Sequence, residues 1–409
     1  ITGGGFDFDP FNTSDTVQTI IDGRVYYGGS LSRDFKVDGE WYNVQVKSMV
    51  NGYDRPADAA AEVYVTLDST GLGTMEQGGF STWHYNLEII GDQDIQFTGP
   101  VALGLYQGEP STLFTVDYSA LEAQVINFTL DNFEAVKAVY GNSDKGYPSE
   151  VYVQIAADDY REGSGEGEYT SNGFGWDEPD AKSLVSEGVT KYIVSLIEGP
   201  TAPGSEGSTA TIKLCDTTKD LEVMALRGNY NDTLNIVDAA WGLAFELQGG
   251  TTAKADGPTG TANVGCLVAN YMWDGADAVV SIVHSVAGDT RPIYAAGVEI
   301  NNADSITIDV TGSAVIEEID GNSVEELAFS ATGDVEVIDE LPDSLTDIDA
   351  AGVVGTFEAA IDSPDGDFSF IGAQGGSTLH LMEFTASDET TIDGGAAGVE
   401  LVIGGEWHG

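Results

Sequence analysis

Positively charged side chains are scarce in this sequence. Its 409 residues include 15 Lys and Arg against 68 Asp and Glu, a formal net charge of -53. No Lys or Arg follows Arg291, whereas 25 acidic residues do. Phosphate binding needs clustered cations, so we exclude nucleic acid as a partner. Surface ion pairs likewise cannot hold the last quarter of the chain together.

The excess of acid indicates the medium in which the protein works. So many like charges repel one another and oppose folding in dilute buffer. In 1 M salt the Debye length falls to about 3 Å, which removes most of that repulsion. The apolar fraction of 42% and the aromatic fraction of 10% are ordinary for globular proteins and exclude a disordered chain. The composition therefore predicts a folded protein adapted to concentrated brine.

Long apolar runs and cysteines are also few. No stretch of about 18 apolar residues exists, so we expect no transmembrane helix within the sequence. The first residue, Ile1, indicates that a signal peptide has been removed, with an engineered truncation as the alternative, and we expect an extracellular protein. Secretion favours a disulfide between Cys215 and Cys266, with two free thiols as the alternative.

Motifs for modification and ion binding are weak. Three Asn-x-Ser/Thr sequons make Asn12, Asn127 and Asn231 candidate glycosylation sites. The acidic segment 158–168 is a candidate for loosely bound calcium, although it lacks the spacing of an EF-hand loop. Apart from such inorganic cations we expect no cofactor.

Motifs for catalysis are missing. The sequence has four histidines, none of them paired at metal-ligand spacing, and no Gly-x-Ser-x-Gly elbow or phosphate-binding loop. The sequence therefore predicts no enzyme. A secreted hydrolase that uses two carboxylates remains an alternative, because glycosidases need no local motif.

Strand patterns dominate what is present. Segments 63–67, 151–155 and 192–196 are rich in β-branched and aromatic residues, and 52 glycines supply turns. Short helices are expected over 119–124 and 234–245. The sequence predicts a mainly β, multidomain protein. The Pro- and Gly-rich segment 198–208 is the expected linker.

Three domains follow from this linker and from a repeat near the C terminus. We expect an N-terminal β domain over 1–198, a middle β-rich domain over 209–300 and an acidic β region over 301–409. The N-terminal domains are expected to be sandwich-like. In the last region, strands end at Gly312, Gly333, Gly352 and Gly375, 21, 19 and 23 residues apart. That period favours a β-solenoid, with a β-sandwich as the alternative.

Two aromatic segments are candidates for membrane contact. Phe174 and Trp176 lie between glycines after the acidic segment, and Tyr271 and Trp273 precede an apolar run. Trp is favoured at lipid interfaces, which makes membrane contact the functional hypothesis. Packing of these rings into the core is the alternative.

Over its whole length the chain resembles the ectodomain of a haloarchaeal pleomorphic virus spike. The resemblance lies in its acidity, its size, its start at Ile1, its β content and its aromatic segments. The resemblance implies a membrane anchor beyond Gly409, attachment to the host surface or S-layer, and fusion of the viral envelope with archaeal membrane lipid. The alternatives are an S-layer or adhesion protein of a halophile and a secreted halophilic hydrolase.

The uneven charge generates a regional prediction. As salt is lowered, the region after Arg291 should lose structure first, because no Lys or Arg lies within it to offset its carboxylates. Hydrogen exchange at stepwise reduced salt measures this order. Earlier opening of the N-terminal domain would contradict the prediction.

Overall fold

The computed structural model divides the chain into two compact units. Unit 1 comprises Ile1–Ala156, Lys182–Ile193 and Asp216–Leu221, and unit 2 comprises the rest. The structure describes residues 6–7, 16–21, 24–37, 40–48, 50–51, 64–71, 74–81, 86–102, 114–131, 133, 136–156, 184–197, 209–214, 220–228, 232–250, 258–361, 367–382 and 390–404.

The described part of unit 1 consists mainly of strands of two to 14 residues and includes the 3-10 turn Ser143–Lys145. Its strands are β1 Phe6–Asp7, β2 Thr16–Ile21, β3 Arg24–Val37, β4 Glu40–Ser48, β5 Val50–Asn51, β6 Tyr64–Asp68, β7 Met75–Gln77, β8 Phe80–Ser81, β9 Asn86–Ile90, β10 Ile95–Phe97, β11 Val101–Ala102, β12 Phe114–Asp117, β13 Val125–Ile126, β14 Thr129–Asp131, β15 Val136–Tyr140, β16 Glu150–Ala156 and β17 Val185–Glu187. Strands β2 to β6 pair antiparallel. From β6 onward the ladders are parallel, in the orders β6-β9-β12-β15-β17, β8-β11-β14-β16 and β7-β10-β13.

Unit 2 is built from parallel strands that alternate between two sheets. After β18 Lys191–Ile197, whose residues are divided between the units, come β19 Thr209–Lys213, β20 Val223–Arg227, β21 Thr233–Ala239, β22 Ala244–Gly249, β23 Ala262–Tyr271, β24 Ala276–His284, β25 Ile293–Asn301, β26 Ala303–Val310, β27 Ala314–Ile316, β28 Ile319–Asp320, β29 Glu326–Ala331, β30 Val335–Leu341, β31 Asp347–Val353, β32 Phe357–Ile361, β33 Ser369–Ile371, β34 Ser377–Leu381, β35 Thr391–Asp393 and β36 Val399–Ile403. One sheet runs β20-β22-β24-β26-β29-β31-β33-β35, and the other runs β19-β21-β23-β25-β27-β30-β32-β34-β36. Each coil thus adds one rung to both sheets, which is the arrangement of a β-solenoid.

Alternating side chains explain why these segments form stacked strands. In β24, Val280 and Ile282 point inward and are fully buried, whereas Asp277 and Val279 point outward. The register places Ile282 between Leu247 of β22 and Val310 of β26. Aliphatic residues therefore stack in inward rows, and burial of each contributes about 1.5–3 kcal/mol.

The mainly β prediction is confirmed, and the C-terminal region has the solenoid arrangement rather than the sandwich alternative. In the described part of unit 1 the structure differs from the sandwich-like expectation. Sandwich sheets are antiparallel, whereas the strands after β6 pair in parallel. Both expected helices are wrong. Leu234 and Ile236 alternate with half-buried residues in β21, and residues 119–124 form turns and bends.

The expected domain limits can be compared with the compact units. The break between Ile193 and Val194 lies close to the expected limit at 198. The segments 209–300 and 301–409, expected as separate domains, lie in one unit apart from the stretch Asp216–Leu221. The expected linker, 198–208, is outside the described residues.

A column of glycines runs along one corner of unit 2. Gly333, Gly355 and Gly375 each donate their N–H to the carbonyl of the preceding glycine, in a series that begins at Gly312, over 2.8, 3.2 and 3.0 Å. A Cβ atom at Gly355 would lie 2.6 Å from the Gly333 carbonyl oxygen, so backbone approaches backbone where a side chain has no room. The glycine period of the sequence is therefore real, with Gly355 rather than Gly352 as its third member.

Replacing Gly355 with Ala should destabilise unit 2 by about 1–3 kcal/mol, because the added methyl group forces the corner apart. Gly78→Ala is the control, since its Cβ would meet nothing within 4 Å. Thermal unfolding in molar salt measures both variants. Equal melting temperatures for G355A and the wild type would contradict the close packing of this corner.

Candidate functional site

Exposed tryptophans mark the most distinctive surface in the described part of the chain. Trp241 is 61% exposed and Trp273 is 64% exposed. The other large apolar side chains that are exposed among the described residues are aliphatic, and they are Val279, Val286, Val354, Leu401 and Ile403. Exposed aromatic surface of this kind is unusual unless it contacts a partner. We call these two residues the tryptophan pair.

The solenoid brings the pair together. Strands β21 and β23 are neighbours, with Ala239 in register with Tyr271. Each tryptophan follows its strand by two residues, so both occupy the same position in the turns of successive coils. The Trp241 indole N–H donates a hydrogen bond to the Trp273 carbonyl oxygen at 3.2 Å. This bond satisfies the polar group of one ring and leaves the apolar faces for contact.

The turns beneath the pair are firmly anchored. Gly242 and Gly275 adopt φ of 83° and 86°, a left-handed conformation that glycine takes without strain. Tyr271 is buried, donates its hydroxyl to the Leu243 carbonyl oxygen at 2.9 Å and packs against Phe245 with 5.8 Å between ring centroids. Burial raises the pKa of Tyr271, so the phenol is neutral at any physiological pH. The aromatic surface thus rests on buried, hydrogen-bonded residues.

The next coils end the aromatic surface. After β25 the turn shortens to Asn302, whose side-chain amide donates to the Tyr271 carbonyl oxygen at 2.7 Å. In the following turn, Asn322 stacks on Asn302. The Asn322 side-chain oxygen accepts a hydrogen bond from the Asn302 backbone N–H at 2.8 Å. The pair therefore borders a polar ladder of asparagines rather than a longer apolar strip.

The surroundings of the pair are mostly acidic. Asp274 and Asp304 are exposed beside the turns. The cation described near these turns, Lys213, lies 3.2 Å from Asp238 and is partly neutralised by it. Attraction of anions to this surface is therefore weak, and contact through the rings is its main chemical capability.

The predicted aromatic residues have three outcomes. Phe174 and Trp176 lie outside the described residues. Tyr271 is wrong as a membrane-contact residue, because its ring is only 2% exposed and its hydroxyl is satisfied internally. Trp273 is exposed, as membrane contact requires. Trp241 was missed because the segment was expected to be helical, although the Trp241-Gly242 dipeptide is a turn signal.

The predicted disulfide is not formed, because Cys266 is a free cysteine. Cys266 is in register with Thr233 of β21, whereas Leu214 donates its N–H to the Val237 carbonyl oxygen. Leu214 thus lies two rungs away and four to five residues further along the strands, roughly 17 Å from Cys266. A disulfide requires Cα atoms within about 7 Å. Cys215 itself is outside the described residues.

The Cys266 thiol is shielded and surrounded by acid. A Cβ atom added at Gly297 would lie 2.9 Å from the Cys266 Sγ, so the thiol fills the space beside this glycine. Burial, followed by repulsion from Glu318, Glu299 and Glu317, raises its pKa to about 12. Burial and neighbouring carboxylates also raise the pKa of Glu318.

The remaining predicted sites are sparsely described. Asn127 is exposed with φ of 54°, and its use as a glycosylation site stays a prediction. Asn12, Asn231 and the acidic segment 158–168 lie outside the described residues. Within the described ranges, no group of three or more His, Cys, Asp or Glu side chains is arranged to hold a metal ion. No helix in the described part of the chain has the length and apolarity needed to cross a bilayer.

Comparison with protein-family models, with curated proteins and with solved structures gives no match for this chain.

The high pKa of Cys266 predicts an unreactive thiol. At pH 8 its alkylation by iodoacetamide in the folded protein should be about a thousandfold slower than that of an ordinary cysteine, because the thiolate is the nucleophile. Peptide mass spectrometry measures the rate, and the chain unfolded without reductant is the control. Failure of Cys266 to react in the unfolded chain until reductant is added would reveal a disulfide.

Proposed function

We propose that this chain is an extracellular attachment protein of a virus of halophilic archaea, a spike that contacts membrane lipid through the tryptophan pair. The observation on which the proposal depends is the side-by-side exposure of Trp241 and Trp273 in the turns of successive coils. Tryptophan is the side chain most enriched at membrane–water interfaces. The acidic composition and the solenoid scaffold support an external, brine-exposed role.

The energetics of such a contact are favourable in brine. Each indole has roughly 200 Å² of surface, and if half of each leaves water the pair contributes about 5 kcal/mol. The charge of -53 opposes approach to anionic lipid in dilute buffer. In molar salt this repulsion acts only over about 3 Å, so the short-range apolar contact decides binding.

Vesicle flotation tests the proposal. With neutral phosphatidylcholine vesicles in 1–3 M NaCl, the wild-type protein should bind, and the double variant Trp241→Ser with Trp273→Ser should bind at least a hundredfold more weakly. Val286→Ser is the matched control, because this side chain is also exposed in a turn of unit 2 and should leave binding unchanged. Circular dichroism and thermal melting establish that each variant is folded.

The dependence on salt separates apolar from ionic binding. Binding through the rings should strengthen between 1 and 3 M NaCl, whereas binding through charges should weaken as salt screens them. Absence of vesicle binding by the wild type, or equal binding by the double variant, would overturn the membrane contact. Binding to isolated S-layer fragments in place of vesicles would favour a cell-surface adhesion protein instead.

A further inference from the structure

The last coil of unit 2 breaks the burial pattern of the coils before it. Strand β36 stacks on β34 with Leu401 opposite Leu379 and Ile403 opposite Leu381. Leu379 and Leu381 are fully buried, but Leu401 is 38% exposed and Ile403 is 65% exposed. These are core-facing positions of the solenoid, so the inward apolar row continues to the final strand and is left uncovered there.

The backbone of this coil is also open. In the part of the chain that the structure describes, no strand pairs with the outer edge of β35 or of β36. Edge strands present unpaired N–H and C=O groups, and natural proteins commonly block them with Lys or Pro. Neither β35 nor β36 contains Lys or Pro. The last coil therefore combines an open ladder with an exposed apolar row.

We propose that this edge, which we call the terminal edge, binds the terminal edge of a second copy of the chain around a two-fold axis. Two identical edges related by such an axis pair antiparallel. With the axis at Leu401, Val399 lies opposite the partner's Ile403 and Leu401 lies opposite itself. Directly opposed residues point to the same side of a sheet, so the inward apolar row becomes continuous between the copies.

The charges on β36 select this register. With the axis at Leu401, Glu400 lies opposite the partner's Val402, and no carboxylate faces another. An axis at Glu400 would place two carboxylates directly opposite each other, which is destabilising. If the pairing slipped by one residue along one strand, inward side chains would lie opposite outward ones. The register at Leu401 also pairs all five residues of the strand.

The other sheet accepts the same symmetry. An axis at Ile392 places Thr391 opposite the partner's Asp393, so β35 also pairs without opposing two carboxylates. The half-buried Ile392 stacks on the fully buried Phe370 of β33 and would be covered by the pairing. A two-fold axis that passed through both Ile392 and Leu401 would close both edges at once.

The proposal is independent of the membrane contact, because the terminal edge and the tryptophan pair are different surfaces of unit 2. The net charge of each copy opposes association in dilute buffer. Apolar burial at the edge therefore produces a dimer only where salt screens the repulsion.

Sedimentation equilibrium of the full chain in 1–3 M NaCl tests the inference. The wild type should show twice the 43.0 kDa of one chain and should dissociate as salt is lowered. Leu401→Asp should weaken dimerisation at least tenfold, and Val354→Asp, at an exposed position elsewhere in unit 2, should leave it unchanged. A monomeric wild type in 3 M NaCl would overturn the inference. Coverage of the terminal edge by other residues of the same chain would give this result.

Val402 provides a matched pair of variants that tests the register. The outward position of Val402 tolerates a long side chain in a single copy, and both variants can be checked by thermal melting. Val402→Glu places a carboxylate opposite the partner's Glu400 and should weaken the dimer at least tenfold. Val402→Lys places an ammonium group there and should retain or strengthen the dimer. Equal dimerisation by V402E and V402K would show that β36 does not pair in this register.

Discussion

The parallel backbone ladder is the interaction on which unit 2 depends. Each coil forms hydrogen bonds with the next and stacks its aliphatic row on the row below, and these contacts do not require a cation. The same stacking brings outward carboxylates close together. Burial, and after it repulsion from Asp320, Asp339 and Glu299, raises the pKa of Glu318. The ladder thus accounts for strands that stack without Lys or Arg after Arg291, and the crowded carboxylates are the reason to expect that salt stabilises them.

The ladder also determines where functional surfaces can arise. Because successive turns are copies of one another at the spacing of one rung, two residues with the same offset from register-matched strands become neighbours. Trp241 and Trp273 meet in this way, although 32 residues separate them. The surface ends when the next turn shortens to Asn302. A solenoid therefore builds a surface by adding coils, and it limits that surface by changing the length of one turn.

Local signals made part of this architecture predictable. Alternation of apolar and polar residues predicts strands, and the glycine period predicts stacked coils, because each depends only on a few adjacent residues. Register is a property of the whole stack, and three errors come from its absence in the sequence. The third corner glycine is Gly355, Cys266 is in register with Thr233 and not with the end of β19, and Trp241 lies beside Trp273. None of these relations can be read from spacing, because turn lengths vary from coil to coil.

Salt concentration determines which features of such a surface control its contacts with other molecules. In dilute buffer the acidic coat dominates and keeps every surface apart. At molar salt the same charges act over about the width of one atom, so direct apolar contacts and open backbone groups become decisive. In so acidic a protein, specific contacts therefore depend on the few surface sites that are apolar. In the described chain these are the tryptophan pair, the scattered valines and the uncovered row at Leu401 and Ile403.

The tryptophan pair presents rings without open backbone, and the terminal edge presents both open backbone and apolar side chains. Lipid can satisfy only the first, whereas another β-strand is needed to satisfy the second.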